Sequence, residues 1–201
     1  MAYDPVQGIL ATGFANGQVC LYAYNRTSAR YSVSAASIVL LQFIPAKAVL
    51  AVIDDQGILR VFDTHMMRYC FSYTVPSPPT CASFIPGTSW LLVGTHSGRL
   101  YFVDLLKGRK SDFSIGCRTK PIAAVATVEP HPVETEKILI GYVSGTCVVC
   151  DIGKASVEEK DMILGSYALD SRPEGLGCSP RLASAGWSPA GDMIVASYES
   201  G

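Results

Sequence analysis

Five apolar segments recur along the chain, and each follows a proline by a few residues. They are Ile9–Ala11, Val49–Val52, Trp90–Val93, Ile138–Ile140 and Met193–Ala196. The preceding prolines are 40, 41, 44 and 59 residues apart: Pro5, Pro45, Pro86, Pro130 and Pro189. The glycines that follow are 40, 41, 47 and 56 residues apart: Gly17, Gly57, Gly98, Gly145 and Gly201. Two independent landmarks with nearly the same period indicate an internal repeat.

Within each repeat, polar and apolar positions alternate with the period of a β-strand. Alternating segments follow the glycines, as in Gln18–Tyr22 and Ile58–Phe62. Asn16-Gly17 is a strong hairpin signal and predicts a type I′ turn, which needs positive φ at both central residues. The other repeats place Gly57, Gly98 and Gly145 in the same turn. No segment keeps a 3.6-residue period, so helices should be scarce.

About four strands per repeat is typical of a WD40 β-propeller blade. We therefore predict an all-β, WD40-like β-propeller that is partial, with about four and a half four-stranded blades. The predicted blade units span about 1–37, 38–78, 79–119, 120–180 and 181–201. Propellers protect their strand edges by closing the ring, so we expect the chain to be an N-terminal piece of a longer propeller.

Composition and charge exclude several classes of protein. Of 201 residues, 49% are hydrophobic and 16% are charged, and 16 basic against 17 acidic residues give a net charge of −1. A chain with this charge balance lacks the excess of basic residues that binding to nucleic acid phosphates needs. The most apolar stretch, Ile38–Ile53, is interrupted by Gln42, Pro45 and Lys47, so we expect no membrane span. Seven cysteines without a disulfide-framework spacing indicate a reducing, cytosolic compartment.

Cysteine and histidine are the residues to test for metal or catalytic chemistry. Cys147 and Cys150 have C-x-x-C spacing, but on a strand an offset of three places the thiols on opposite faces. His96 is predicted in a turn between second and third strands. His65 and His131 are predicted in loops at the other end of the strands. We therefore predict no catalytic residue, no metal site and no cofactor.

Two strings resemble the lethal giant larvae/tomosyn family. Ala2–Gly13 (AYDPVQGILATG) is similar to the phrase that opens the first repeat of that family, and it continues into Asn16–Val19. Lys137–Thr146 (KILIGYVSGT) is similar to a later stretch in the family. Both lie in the right order and separation, so the resemblance covers essentially the whole chain. Gly13-Phe14 departs from the usual Gly-Thr.

The resemblance implies a non-catalytic WD40 scaffold that regulates polarised exocytosis and vesicle docking and fusion. Family members bind SNAREs of the syntaxin and SNAP-25 type, and some also engage a Rab GTPase or non-muscle myosin. The implied location is the cytoplasm, with peripheral association at the plasma membrane compatible with it. Two alternatives stay open: a WD40 scaffold of an unrelated complex, such as a ubiquitin ligase or chromatin assembly, and a propeller enzyme.

The longest interval between repeats predicts an exposed loop. Its excess residues fall between Ile152 and Arg181, and part of them should form a fourth strand around Met162–Ala168. The remainder is rich in proline, glycine and charge, and loops on rigid scaffolds often carry binding. We hypothesise that Arg172, Glu174 and Arg181 contact a protein partner. The alternative is a solvated insertion that tolerates change.

Overall fold

The structure is a computed structural model that describes residues 1–23, 26–44, 47–66, 68–116, 123–153, 163–168 and 181–199. These residues contain eighteen strands and no helix. The strands are β1 (Ala2–Asp4), β2 (Ile9–Gly13), β3 (Gln18–Ala23), β4 (Arg26–Ser32), β5 (Ile38–Ile44), β6 (Val49–Asp54), β7 (Ile58–Asp63), β8 (Arg68–Thr74), β9 (Pro79–Phe84), β10 (Trp90–Thr95), β11 (Leu100–Asp104), β12 (Arg109–Ile115), β13 (Val125–Pro130), β14 (Lys137–Tyr142), β15 (Thr146–Asp151), β16 (Ile163–Ala168), β17 (Arg181–Trp187) and β18 (Ile194–Glu199). Within these ranges, no helix is long and apolar enough to cross a membrane.

Strands that follow one another in sequence lie side by side in the sheets. Four sheets have four strands each, in the orders β1-β2-β3-β4, β5-β6-β7-β8, β9-β10-β11-β12 and β13-β14-β15-β16, and β17-β18 form a fifth sheet. Pairing is antiparallel in the first, second and fourth sheets and between β17 and β18. The predicted all-β, partial WD40-like fold is confirmed, and the blade boundaries stay a prediction.

The chain divides into two compact units by its internal packing. One consists of Met1–Pro79 with Val103–Lys110, and the other of Thr80–Phe102 with Ser111–Gly201. In the first unit, β2 and β3 share one apolar core with β5 and β6, formed by Ala11, Val19, Leu21, Leu41, Phe43, Leu50 and Val52. The first two sheets of this unit are therefore held together by side chains of β2, β3, β5 and β6.

In the second unit, β14 is buried on both faces. Ile138 and Ile140 pack into one core, and Leu139 packs into another together with Leu182 of β17. Successive side chains on a strand point to opposite faces, so a strand between two cores must be apolar at nearly every position. This explains why the Lys137–Tyr142 segment lacks the polar alternation of a half-exposed strand.

The Asp-Pro-Val-Gln string forms the loop between β1 and β2. Asp4 Oδ1 accepts hydrogen bonds from the backbone N–H of Val6 at 2.9 Å and of Gln7 at 3.3 Å. The Gly8 N–H donates to the Asp4 carbonyl at 2.9 Å, and Gly8 has a φ of 64°. The loop is a single helical turn. Asp4 caps its beginning, Pro5 occupies the first position, and the left-handed Gly8 ends it.

The four glycines predicted in turns each lie between the second and third strands of a sheet. Gly17, Gly57, Gly98 and Gly145 have φ values of 77°, 79°, 75° and 91°. Each N–H donates to the carbonyl three residues earlier, at 2.9 to 3.1 Å. Only glycine occupies this left-handed region without strain. The repeat alignment predicts this conformation at these positions.

The predicted type I′ geometry at Asn16-Gly17 is wrong. Ala48 is the only non-glycine residue in the described ranges with positive φ, so Asn16 does not adopt it. The Phe14 N–H donates to the Gln18 carbonyl at 2.9 Å, which leaves three residues in the loop instead of two. Asn16 Oδ1 accepts the Gln18 N–H at 3.2 Å. Because the loop is one residue longer, glycine alone takes the left-handed position.

Candidate functional site

The loop predicted to contact a partner lies mostly outside the described residues, including Arg172 and Glu174. Arg181 is the first residue of β17, and its side chain is exposed. In the backbone register of the sheet it lies opposite Glu199 of β18. The fourth strand predicted around Met162–Ala168 is confirmed as β16, Ile163–Ala168. The partner-binding role of these three residues stays a prediction.

An open depression lies in the first compact unit, beside the turn between β6 and β7. Asp54, Asp55, Gln56 and Arg60 line one side of it, and Ser34–Ser37 lines the other. The second group is the segment that joins β4 to β5. One wall of the depression is therefore the β6–β7 turn of the second sheet. The other wall is the segment that connects the first sheet to the second.

A buried aspartate holds the two sides together. Arg60 Nη1 donates to Asp54 Oδ2 at 2.6 Å, and the Ser34 hydroxyl donates to the same oxygen at 2.7 Å. The Ile58 N–H donates to Asp54 Oδ1 at 2.9 Å. Asp54 is 1% exposed, whereas the Arg60 side chain is 20% exposed. The carboxylate thus fixes a guanidinium whose outer part faces solvent.

The electrostatics of this group favour the charged carboxylate. Burial alone raises the pKa of Asp54. Hydrogen bonds from Arg60, Ile58 and Ser34, together with the positive charge of Arg60, outweigh burial and hold the pKa below its ordinary value. Asp54 is consequently ionised at neutral pH, and it makes a charge-assisted link between two segments that are far apart in sequence.

Sequence reasoning did not single out Asp54, Arg60 or Ser34. One signal was present: Asp54 ends an otherwise apolar strand, where a lone charge needs a buried partner. The partners cannot be read from local spacing alone, because Ser34 lies 20 residues away. The third repeat places a neutral Thr95 at the same distance before its turn glycine.

The two thiols of the C-x-x-C spacing point to opposite faces of the sheet, as predicted. Cys150 packs in the core that contains Ile138 and Ile140, whereas Cys147 packs with Leu139 on the other face. Burial raises the pKa of the Cys147 thiol, which therefore stays protonated at neutral pH. These two residues belong to the packing of β15.

The three histidines lie on the predicted segments. His65 follows β7 and His96 lies in the turn between β10 and β11, and both are exposed. His131 follows β13 and is 5% exposed. Among the residues that the structure describes, no group of three or more histidine, cysteine, aspartate or glutamate side chains could hold a metal ion.

Whole-length similarity to known proteins is found despite low sequence identity. No protein-family model matches the chain. It is 27% identical to Lethal(2) giant larvae protein homolog 1 of Rattus norvegicus and of Bos taurus, over the whole of this chain and 21% of each relative. It is 22% identical to Lethal(2) giant larvae protein homolog SRO77 of Saccharomyces cerevisiae, over 70% of this chain and 15% of that protein.

The chain therefore spans about a fifth of the length of the animal relatives it matches. The matched region includes both strings on which the resemblance rests, since it extends over every residue of the chain. The family resemblance that the motifs indicate, to the lethal giant larvae proteins, is confirmed along the whole chain.

Proposed function

We propose that this chain is a non-catalytic interaction scaffold of polarised exocytosis, which binds SNAREs of the syntaxin and SNAP-25 type. The observation that carries the proposal is the similarity to lethal giant larvae proteins along the whole chain. The cytoplasm is the proposed location. A Rab GTPase or non-muscle myosin are further partners of the same scaffold.

The described sheets support a binding role because they hold exposed loops on a rigid frame. Strands such as β6 and β14 are buried along their length, and tight glycine turns join them to the next strand. Binding residues occur disproportionately on loops held by such frames. One fold can host many functions, however, so the exposed surfaces determine which partner binds.

The described residues offer one surface to a polar protein partner, and the sequence predicts a second candidate. The depression beside Asp54 presents the exposed part of Arg60 and the exposed side chains of Asp55 and Gln56. A fixed guanidinium suits carboxylate or amide groups of a partner, because its donors are already oriented. The second candidate is the loop predicted from the sequence before Arg181, and we propose that Arg172, Glu174 and Arg181 contact the partner.

The experiment measures binding of purified cytoplasmic syntaxin and SNAP-25 segments to the protein by isothermal titration calorimetry. One variant reverses the charges of the loop by combining Arg172→Glu, Glu174→Lys and Arg181→Glu. It should weaken binding roughly tenfold or more, which corresponds to about 1.4 kcal/mol of binding free energy. Gln56→Ala and Asp55→Ala test the depression in the same assay. Arg109→Glu, at an exposed position on β12, is the matched control and should bind normally.

Each outcome has a defined meaning. Binding that the loop variant weakens and the control retains supports the scaffold and its loop. Binding weakened only by the depression variants supports the scaffold and moves its contact to Asp55 and Gln56. Absence of binding to either SNARE contradicts the proposal and favours a scaffold of an unrelated complex.

A further inference from the structure

Exposed apolar side chains lie on two loops of the first compact unit. Met66 is 71% exposed in the β7–β8 loop, and Tyr69 is 49% exposed near the start of β8. Leu106 is 59% exposed in the β11–β12 loop. Single exposed apolar residues are ordinary, but several on one surface with polar residues at its border indicate an interaction site. The question is whether these two loops share a surface.

Two contacts bring the loops together. A Cβ at Gly108 would lie 3.4 Å from the Phe71 ring, so the β11–β12 loop packs against β8. The backbone N–H and the hydroxyl of Thr64 donate to the Ala48 carbonyl at 2.7 and 2.9 Å, which ties the β7–β8 loop to the segment that leads into β6. These three segments form one surface, the loop surface, which carries Lys47, Met66, Arg68, Tyr69, Leu106 and Lys107.

The loop surface is positively charged, although the whole chain has a net charge of −1. Lys47, Arg68 and Lys107 are all exposed. The Lys107 Nζ lies 3.9 Å from Asp104 Oδ2, and its side chain is 64% exposed. At that distance and exposure the ion pair is weak, so the ammonium group stays available to a partner.

Two aspartates hold the loops in place by accepting backbone hydrogen bonds. Asp104 is 1% exposed, and its Oδ1 accepts the N–H groups of Leu106 and Lys107, both at 3.1 Å. Asp63 Oδ1 accepts the Met66 N–H at 2.9 Å in the same way. The exposed apolar residues therefore stand on loops whose backbone is already ordered, which lowers the entropic cost of binding.

The combination of cations and apolar loop residues fits the surface of an anionic bilayer. Anionic headgroups attract lysine and arginine, and the boundary with the acyl chains takes up leucine and methionine. Tyrosine rings are enriched at the level of the headgroups. Apolar residues on separate loops need matched pockets in a protein partner, whereas a bilayer accepts them at any spacing. These properties favour a lipid surface over a protein.

We propose that the loop surface binds bilayers that contain anionic phospholipid, with Lys47, Arg68 and Lys107 at the headgroups and Met66 and Leu106 at the acyl boundary. This site is separate from the depression beside Asp54, because the β6–β7 turn and the β7–β8 loop lie at opposite ends of β7. Lipid binding is therefore independent of the proposed SNARE binding.

The experiment measures partition of the protein onto sedimented vesicles. Phosphatidylcholine with about 30% phosphatidylserine should bind the unmodified protein roughly tenfold more strongly than phosphatidylcholine alone. Raising the salt concentration from about 0.1 M to about 0.5 M should lower binding to the anionic vesicles roughly tenfold, because the screening length becomes shorter. This comparison needs no variant.

Two variants separate the charges from the apolar residues. Lys47→Glu, Arg68→Glu and Lys107→Glu combined should lower binding to anionic vesicles roughly a hundredfold, since each cation contributes to the attraction. Met66→Ser and Leu106→Ser combined should lower binding roughly fivefold and leave its salt dependence in place.

The matched control changes one exposed apolar and one exposed basic residue elsewhere in the first compact unit. It combines Phe14→Ser in the β2–β3 turn with Arg30→Glu on β4. Binding of this variant should stay within about twofold of the unmodified protein. Far-UV circular dichroism checks that every variant is folded.

Equal binding of the unmodified protein to both kinds of vesicle would overturn the proposal, and this result does not depend on any variant. A control variant as weak as the charge variant would also overturn it, because the attraction would then belong to the whole protein. Full binding by the serine variant would show that the two apolar residues do not enter the bilayer. The loop surface would then suit an acidic protein partner instead, and the proposal would be wrong.

Discussion

The β6–β7 and β10–β11 turns have the same backbone and different chemistry. In each, a glycine N–H donates to the carbonyl three residues earlier at 3.0 Å, from Gly57 to Asp54 and from Gly98 to Thr95. The φ values are 79° and 75°. The first residue of each turn is fully buried, with Asp54 at 1% and Thr95 at 0% exposed. The backbone conformation of the turn is therefore the same whether its first residue is an aspartate or a threonine.

What differs is how far that side chain reaches. Thr95 closes the turn locally, because its hydroxyl donates to the Arg99 carbonyl at 2.7 Å. Asp54 reaches Arg60 on the next strand and Ser34 on the segment that follows the first sheet. A buried ionised aspartate thus links its hairpin to the segment that joins two sheets, whereas a buried threonine completes one hairpin.

Removing the two side chains should give unequal losses of stability. Asp54→Ala leaves Arg60 partly buried without its counter-ion, and we expect a loss of about 3 kcal/mol in the free energy of unfolding. Thr95→Ala removes local hydrogen bonds and should cost about 1 kcal/mol. Urea unfolding at neutral pH measures both. Asp55→Ala, at an exposed position, should stay within about 0.5 kcal/mol.

Equal losses for Asp54→Ala and Thr95→Ala would contradict the difference between the turns. A large loss for Asp55→Ala would show that charge at this surface, and not the buried link, determines stability.

A second pair of variants separates backbone strain from contact with the neighbouring segment. Gly17 and Gly87 have φ values of 77° and 76°. A Cβ at Gly17 would overlap the Ser34 carbonyl oxygen, whereas a Cβ at Gly87 would meet nothing within 4 Å. Gly87→Ala should cost about 1 kcal/mol through left-handed strain. Gly17→Ala should cost about 2 kcal/mol, since the Ser34 segment must also shift.

Thermal unfolding of both variants provides the measurement. If the two alanine variants had equal melting temperatures, the close approach of Ser34 to the first turn would not contribute to stability.

The frame could be predicted from the sequence because its signals are local. Apolar runs, alternating strands and turn glycines recur at a steady period, and they identify the all-β repeat and the positions of Gly17, Gly57, Gly98 and Gly145. The C-x-x-C pair on β15 could be assigned to opposite faces from strand geometry alone. The sequence analysis did not predict the loop that begins at Asp4, although its signals, Asp4, Pro5 and Gly8, lie within five consecutive residues.

The networks could not be predicted because they join residues that local spacing does not connect. Asp54 meets Ser34 across 20 residues, and His131 meets Gly191 across 60. The turn type at Asn16 was wrong for a related reason. One additional loop residue changes which positions need positive φ, and residue preference alone does not specify loop length.

The pH dependence of stability shows whether Asp54 is an ionised, buried link between the β6–β7 hairpin and the Ser34 segment. Its pKa is held below the ordinary value in the folded state, so its stabilisation is present above the unfolded-state pKa and is lost as the pH falls through the folded-state pKa. Urea unfolding of the protein and of Asp54→Asn should differ by a constant free energy from about pH 7 to about pH 5, and the gap should narrow below about pH 4. A gap that stays constant or widens on acidification would contradict a buried, ionised aspartate that links the β6–β7 hairpin to the Ser34 segment.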